Sequence, residues 1–178
     1  MTRILRTLFL MLVLASGIAS AHPLAGAGQL LPDLKPLGKG EMRWFGLKLY
    51  DASLWVTGSS FSPDGGFALS LRYARSFEGA ELAEASIDEI RRLGERDKAK
   101  LARWEAVLTR VFPDVEDGEV ITGVKMPDGS SRFFHQGREL PSIEEKALSD
   151  AFFAIWLDER TREPKLRARL LAGSVPPR

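Results

Sequence analysis

The side chains that best combine for chemistry are Arg43 and Tyr50, which the residue pattern places on neighbouring strands. A guanidinium and a phenol facing one pocket would hold a carboxylate or a phenolate. Their plainer reading is a packing tyrosine with its hydroxyl at the surface and an arginine covering a sheet edge. Arg72 and Tyr73 are the next candidates; strand alternation sends them to opposite faces, so at most one of them joins Tyr50. Ser86 sits four residues from both Leu82 and Ile90. Its hydroxyl therefore either points into a cavity between helix and sheet or bonds back to the carbonyl four residues earlier. No G-x-S-x-G elbow surrounds it and the internal histidine, His135, belongs to another element, so a nucleophilic role has no support. His135 itself reads as a partly exposed strand end, in a residue type that titrates near neutral pH. Glu78, Glu81, Glu84, Asp88 and Glu89 favour the positive end of the first long helix and read mostly as a solvated face.

The elements that must position these residues follow from the apolar period. Residues 22–39 are rich in Gly, Pro and Leu without a clean period and read as a leader arm able to add one edge strand. Residues 42–56 suit two strands joined by a tight turn at Phe45-Gly46. In the second strand Tyr50 shares a face with Lys48, Ala52 and Leu54, while Leu47, Leu49, Asp51, Ser53 and Trp55 take the other. Residues 67–73 alternate strictly, with Phe67, Leu69, Leu71 and Tyr73 on one face. The period then lengthens: Leu82, Ser86, Ile90 and Leu93 lie along one helix capped by Gly94. Leu101, Trp104, Leu108 and Val111 mark a second helix, halted by Pro113. A hairpin follows around Pro127-Asp128-Gly129. A third helix is expected from about Ser142 to Leu157, and Pro164 can open a last short one through Leu171. Strands preceding helices without strict alternation predict an α+β domain, an antiparallel β-sheet covered on one face by a layer of helices.

Composition narrows the function. The chain has 25 basic and 24 acidic residues, no cysteine and two histidines. A near-neutral balance with no concentrated basic run argues against a nucleic-acid partner. Without cysteine there is no disulfide to stabilise the fold, and a metal or other cofactor site of ordinary ligand type is not expected. At the front, Arg3 and Arg6 precede the apolar run Leu8 to Ala15, and Ala19-Ser20-Ala21 has the small-x-small form that signal peptidase reads. Residues 1–21 are thus expected to be a cleaved signal peptide delivering a periplasmic or secreted domain over residues 22–172, with residues 173–178 as a loose tail. The apolar run is interrupted at Ser16-Gly17 and falls short of the ~20 residues a spanning helix needs, so no membrane span is expected after cleavage. The oligomeric state is not set by the sequence.

The stretch GEMRWFGLKLYDASLW from Gly40 to Trp55 resembles the bacterial chalcone isomerase-like family. So do AELAEASIDEIRRLG from Ala80 to Gly94, FPDV from Phe112 to Val115 and AFFAIWLD from Ala151 to Asp158. The resemblance implies an open-faced β-sandwich, a large antiparallel sheet under a layer of helices. Plant enzymes of this fold cyclise chalcones, while related plant proteins bind fatty acids, so the fold leaves function open. Overlaid on the enzyme pattern, Tyr50 replaces the strand threonine. Lys39 or Gly40 stands at the arginine position, Glu78 and Ala85 at the helical Tyr and Asn, and Ile155 at the late hydroxyl. None of these matches. In the fatty-acid-binding branch Tyr50 falls on that branch's tyrosine, with Arg43 nearer in sequence than the branch's own arginine. The resemblance therefore implies a binder of a small apolar or carboxylate ligand, anchored by Arg43 and Tyr50 with Ser86 and Tyr73 at the cavity. The alternatives are an isomerase that polarises an enone through the same pair and a structural envelope domain with a filled core.

Overall fold

A computed structural model of the protein describes residues 22–173, so the expected signal peptide and the end of the tail lie outside the described residues. Six strands pair antiparallel in chain order: β1 (Lys35–Trp44), β2 (Leu47–Val56), β3 (Phe67–Tyr73), β4 (Val120–Lys125), β5 (Ser131–His135) and β6 (Arg138–Glu139). Between and after them run α1 (Ala27–Leu30), α2 (Gly79–Leu93), α3 (Lys98–Val111), α4 (Lys146–Leu157) and α5 (Pro164–Leu170). The four longer helices cover one face, where Leu54, Phe67, Leu69 and Leu71 pack against Ile87, Trp104, Leu108, Phe152 and Leu166. This is the predicted α+β arrangement.

Local chemistry sets the helix ends. The side chain of Asp97 accepts from the Lys100 N–H at 3.0 Å and opens α3, satisfying one of the orphan donors of the first turn. Glu81 accepts from the Glu78 N–H at 3.1 Å at the start of α2, and Gly94 ends it at φ 133°. α4 begins at Lys146 rather than near Ser142. The preceding backbone is already committed, because Ile143 exchanges hydrogen bonds with Ser131 beside the sheet. Pro164 sits in the first turn of α5, as its fixed φ allows.

Two features depart from the expected pattern. The end of the arm adds no strand of its own but extends edge strand β1 back to Lys35, and the arm's first part lies across the opposite face of the sheet. There Ala27 and Leu31 bury Ala68, Val124 and Phe134, and the Pro23 carbonyl accepts from the Thr122 hydroxyl at 2.6 Å. Both faces of β3 and β4 are consequently buried. In β2, Leu49 turns to the helix-covered side rather than away from it. The cause is a register shift: Met42 pairs with Tyr50 but Arg43 pairs with Lys48, leaving Leu49 as an extra residue.

Candidate functional site

Beneath the helices the core is not filled. A cavity of about 380 Å³ lies between the sheet and α2, α4 and α5, within the size range of small-molecule sites. Its inner end is aromatic, with Phe112, Phe133, Phe152 and Phe153 around Gly123. Gly123 adds room there, since a Cβ would come within 2.9 Å of the Phe133 ring. The other end is polar, where Trp44, Glu89, Thr161, Arg162 and Glu163 line it.

Tyr50 and Tyr73 stand between the two ends. They are register partners on β2 and β3, which puts both phenols on the cavity face and sends Arg72 to the other. Their rings meet edge to face at 6.2 Å. The Tyr50 hydroxyl accepts from the Trp156 indole N–H at 2.9 Å, leaving its own proton available to a ligand. Among the described residues the Tyr73 hydroxyl has no hydrogen-bond partner. Burial pushes the Tyr50 phenol up to about 12, against a partial offset from the Trp156 hydrogen bond. The Tyr73 phenol is raised as well, first by burial and then by its neighbour Tyr50. Both are therefore neutral O–H donors at physiological pH.

Ser86 lines the cavity too, but its hydroxyl donates to the Leu82 carbonyl at 2.7 Å. Both readings of this serine hold together: the side chain faces the hollow, and its proton is committed to the helix. Arg43 does not line the cavity. Met42 is the register partner of Tyr50, so the next residue along β1 points to the opposite face. There the Arg43 Nε donates to Glu41 at 2.7 Å and its Nη1 to the Gly46 carbonyl at 3.0 Å. The expected pairing of Arg43 with Tyr50 is thus not formed, and an enone carbonyl could not meet both groups at once.

Sequence reasoning overlooked three contributors. Trp156 lies in the apolar segment AFFAIWLD of the expected third helix, and nothing in that segment signals where its N–H goes. Glu89 belongs to the mouth rather than to a solvated face; its spacing from Leu82 and Ser86 on one helical stripe could have shown it. Arg162, on the loop between α4 and α5, is the cation among the described lining residues and reaches Glu89 at 2.8 Å. Glu89 is also held by the Arg92 Nε at 2.7 Å. His135 lies apart from the cavity, its Nε2 2.9 Å from a Glu119 oxygen.

The site therefore offers an apolar chamber, two neutral phenolic donors and a charged rim. Among the described residues no group of three His, Asp or Glu could hold a metal ion. The family pattern of the chalcone isomerase-like proteins matches residues 33–172. The chain belongs to that family. Among solved structures it is similar to the Arabidopsis thaliana fatty-acid binding protein, with a TM-score of 0.61 and 11% sequence identity. That alignment covers 80% of this chain and 88% of the plant protein, and at such identity it shows the shared fold. No curated protein sequence matches.

Proposed function

We propose that the protein is an exported, non-catalytic binder of a small apolar molecule with a polar oxygen at one end, fatty-acid-like in form. The observation that carries this reading is the apolar cavity beneath the helices with Tyr50 and Tyr73 opening onto it. An acyl chain would lie toward Gly123 and the four phenylalanines, where its burial supplies the main favourable term. The ligand's oxygen would accept from the two phenols, and a carboxylate extending further would meet Arg162 at the rim. The similarity to a fatty-acid binding protein supports the ligand class, and the Arg3, Arg6 and Ala19-Ser20-Ala21 pattern supports export.

Extraction of the purified protein followed by mass spectrometry should recover a bound lipid-like acid. Titration of stripped protein with medium-chain fatty acids should saturate at one site. Tyr50→Phe should weaken that binding by roughly three- to tenfold, the loss of about one neutral hydrogen bond. Protein that stays empty and takes up no apolar acid would overturn the binding reading. For export, the amino terminus of protein recovered from the periplasm or medium should be His22; full-length protein retained in the cytoplasm would refute it.

A further inference from the structure

The turn joining β1 and β2 carries exposed apolar side chains. Trp44, Phe45 and Leu47 are 45%, 90% and 58% exposed, and they are the exposed large hydrophobic side chains among the described residues. Phe45 is also strained. Its φ of 46° and the 82° of Gly46 form a two-residue hairpin turn with both central residues left-handed. Asn-Gly or Asp-Gly suits that turn, whereas a bulky residue at positive φ is disfavoured. Its ring meets that of the neighbouring Trp44 edge to face, with centroids 5.1 Å apart, and is otherwise largely exposed. Phe45 therefore costs the folded chain twice, in backbone strain and in exposed apolar surface. Strain of this kind, without compensating packing, points to a use outside the fold.

We propose that this hairpin tip inserts into the interfacial region of a lipid bilayer and sets the cavity mouth against the membrane. Three observations favour a bilayer over a protein groove or a second copy of the chain. The tip is convex and narrow, a two-residue turn with its apolar groups at the apex, so it offers no flat self-complementary face. Trp44 belongs to both the tip and the cavity wall, as does its neighbour Met42 to the wall. An apolar ligand would thus pass from lipid to cavity along Trp44 and Met42, beside the charged rim. Finally, the adjoining charges are already paired, Arg43 with Glu41 and Lys48 with Asp51, each at 2.7 Å. The attachment is therefore hydrophobic rather than electrostatic, with aromatic side chains at headgroup depth. It needs no anionic lipid and resists salt, unlike a polybasic contact.

The entry route rests on the ligand-binding reading above; the membrane contact does not. The test is co-sedimentation of the full mature protein with phosphatidylcholine vesicles at low and high salt. Phe45→Asn and the double variant Phe45→Asn with Leu47→Ser are the comparisons. Asn suits the left-handed turn, so folding is preserved, and neither residue lines the cavity. The wild type should bind vesicles equally at both salt concentrations, and the double variant should bind at least fivefold less. Fatty-acid binding in detergent-free solution should be the same for all three proteins. Absence of vesicle binding by the wild type overturns the proposal. So does binding that vanishes in high salt or demands anionic lipid, or a concentration-dependent dimer in ultracentrifugation that the double variant abolishes. Failure of fatty-acid binding alone would remove the ligand reading and leave the membrane contact standing.

Discussion

At the scale of single residues, the two tyrosines are the most informative probes, because the chain contains no others. Both phenols face the cavity, and burial raises both above the ordinary value of 10. The folded state thus holds its phenolic protons at pH values where the unfolded chain releases them. Fewer protons bound in the unfolded state means that stability falls as pH rises. For Tyr50 this contribution is intact below pH 10 and is lost between there and about 12, an effect on the order of 3 kcal/mol. Phenolate absorbance of the native protein should therefore stay flat through pH 10 and rise only together with loss of folded structure. A tyrosine ionising reversibly near its ordinary value in folded protein would mean an open, hydrated site. The same local view explains why Arg43 misled: alternation relative to its own strand gave no information about which residue of β2 would stand opposite it.

At the scale of elements, close backbone contact decides how the cavity is walled. α5 lies directly on β1 at Gly38, where an added Cβ would fall 2.2 Å from the Arg169 carbonyl oxygen and 2.4 Å from that of Leu170. Neither backbone oxygen can swing aside. Gly38→Ala should cost about 3 kcal/mol, the upper range for overpacking, read as a lower denaturant midpoint. Because Leu166 of α5 lines the cavity, the variant should also bind ligand more weakly; full stability would show that α5 is free to lift. On the other side, α4 is fixed by the buried Lys125, whose Nζ donates to the Gly129 carbonyl at 3.0 Å and to the Ser149 hydroxyl at 2.8 Å. The ammonium also pairs with Asp150, so this buried cation is fully satisfied and ties α4 to the β4–β5 hairpin. Of the helices that roof the hollow, α5 is thus held on β1 and α4 on the β4–β5 hairpin.

At the scale of the whole molecule, the sheet separates two apolar regions of different purpose. The helix-covered face contains the cavity; the reverse face is sealed by residues 22–34 over Ala68, Val124 and Phe134. Leu31→Ala in that seal should lower stability by about 2–3 kcal/mol, a typical large-to-small loss, with ligand affinity unchanged. A parallel loss of affinity would show that the two faces are coupled through the strands. Much of this plan was legible beforehand. The strict alternation of residues 67–73 located β3 and its cavity face, and Leu101, Trp104, Leu108 and Val111 located α3, because buried periodicity is a local property of the chain. Tyr50 and Tyr73 stood out for the same reason. The back-face seal was hidden, since Leu24, Leu30, Leu31 and Leu34 have no period and gain meaning only from the surface they cover.

The sequence by itself determined the type and order of the longer elements, the α+β class and the cavity face of β3, all of which depend on neighbours within a few positions. The tertiary structure alone decided that the interior is hollow and that Trp156 donates to Tyr50 across 106 residues of chain. It likewise decided that Arg162 rather than Arg43 stands at the cavity. Those outcomes depend on register shifts and on how far a helix stands off a sheet, which arise from the summed packing of distant segments and leave no local mark in the order of residues.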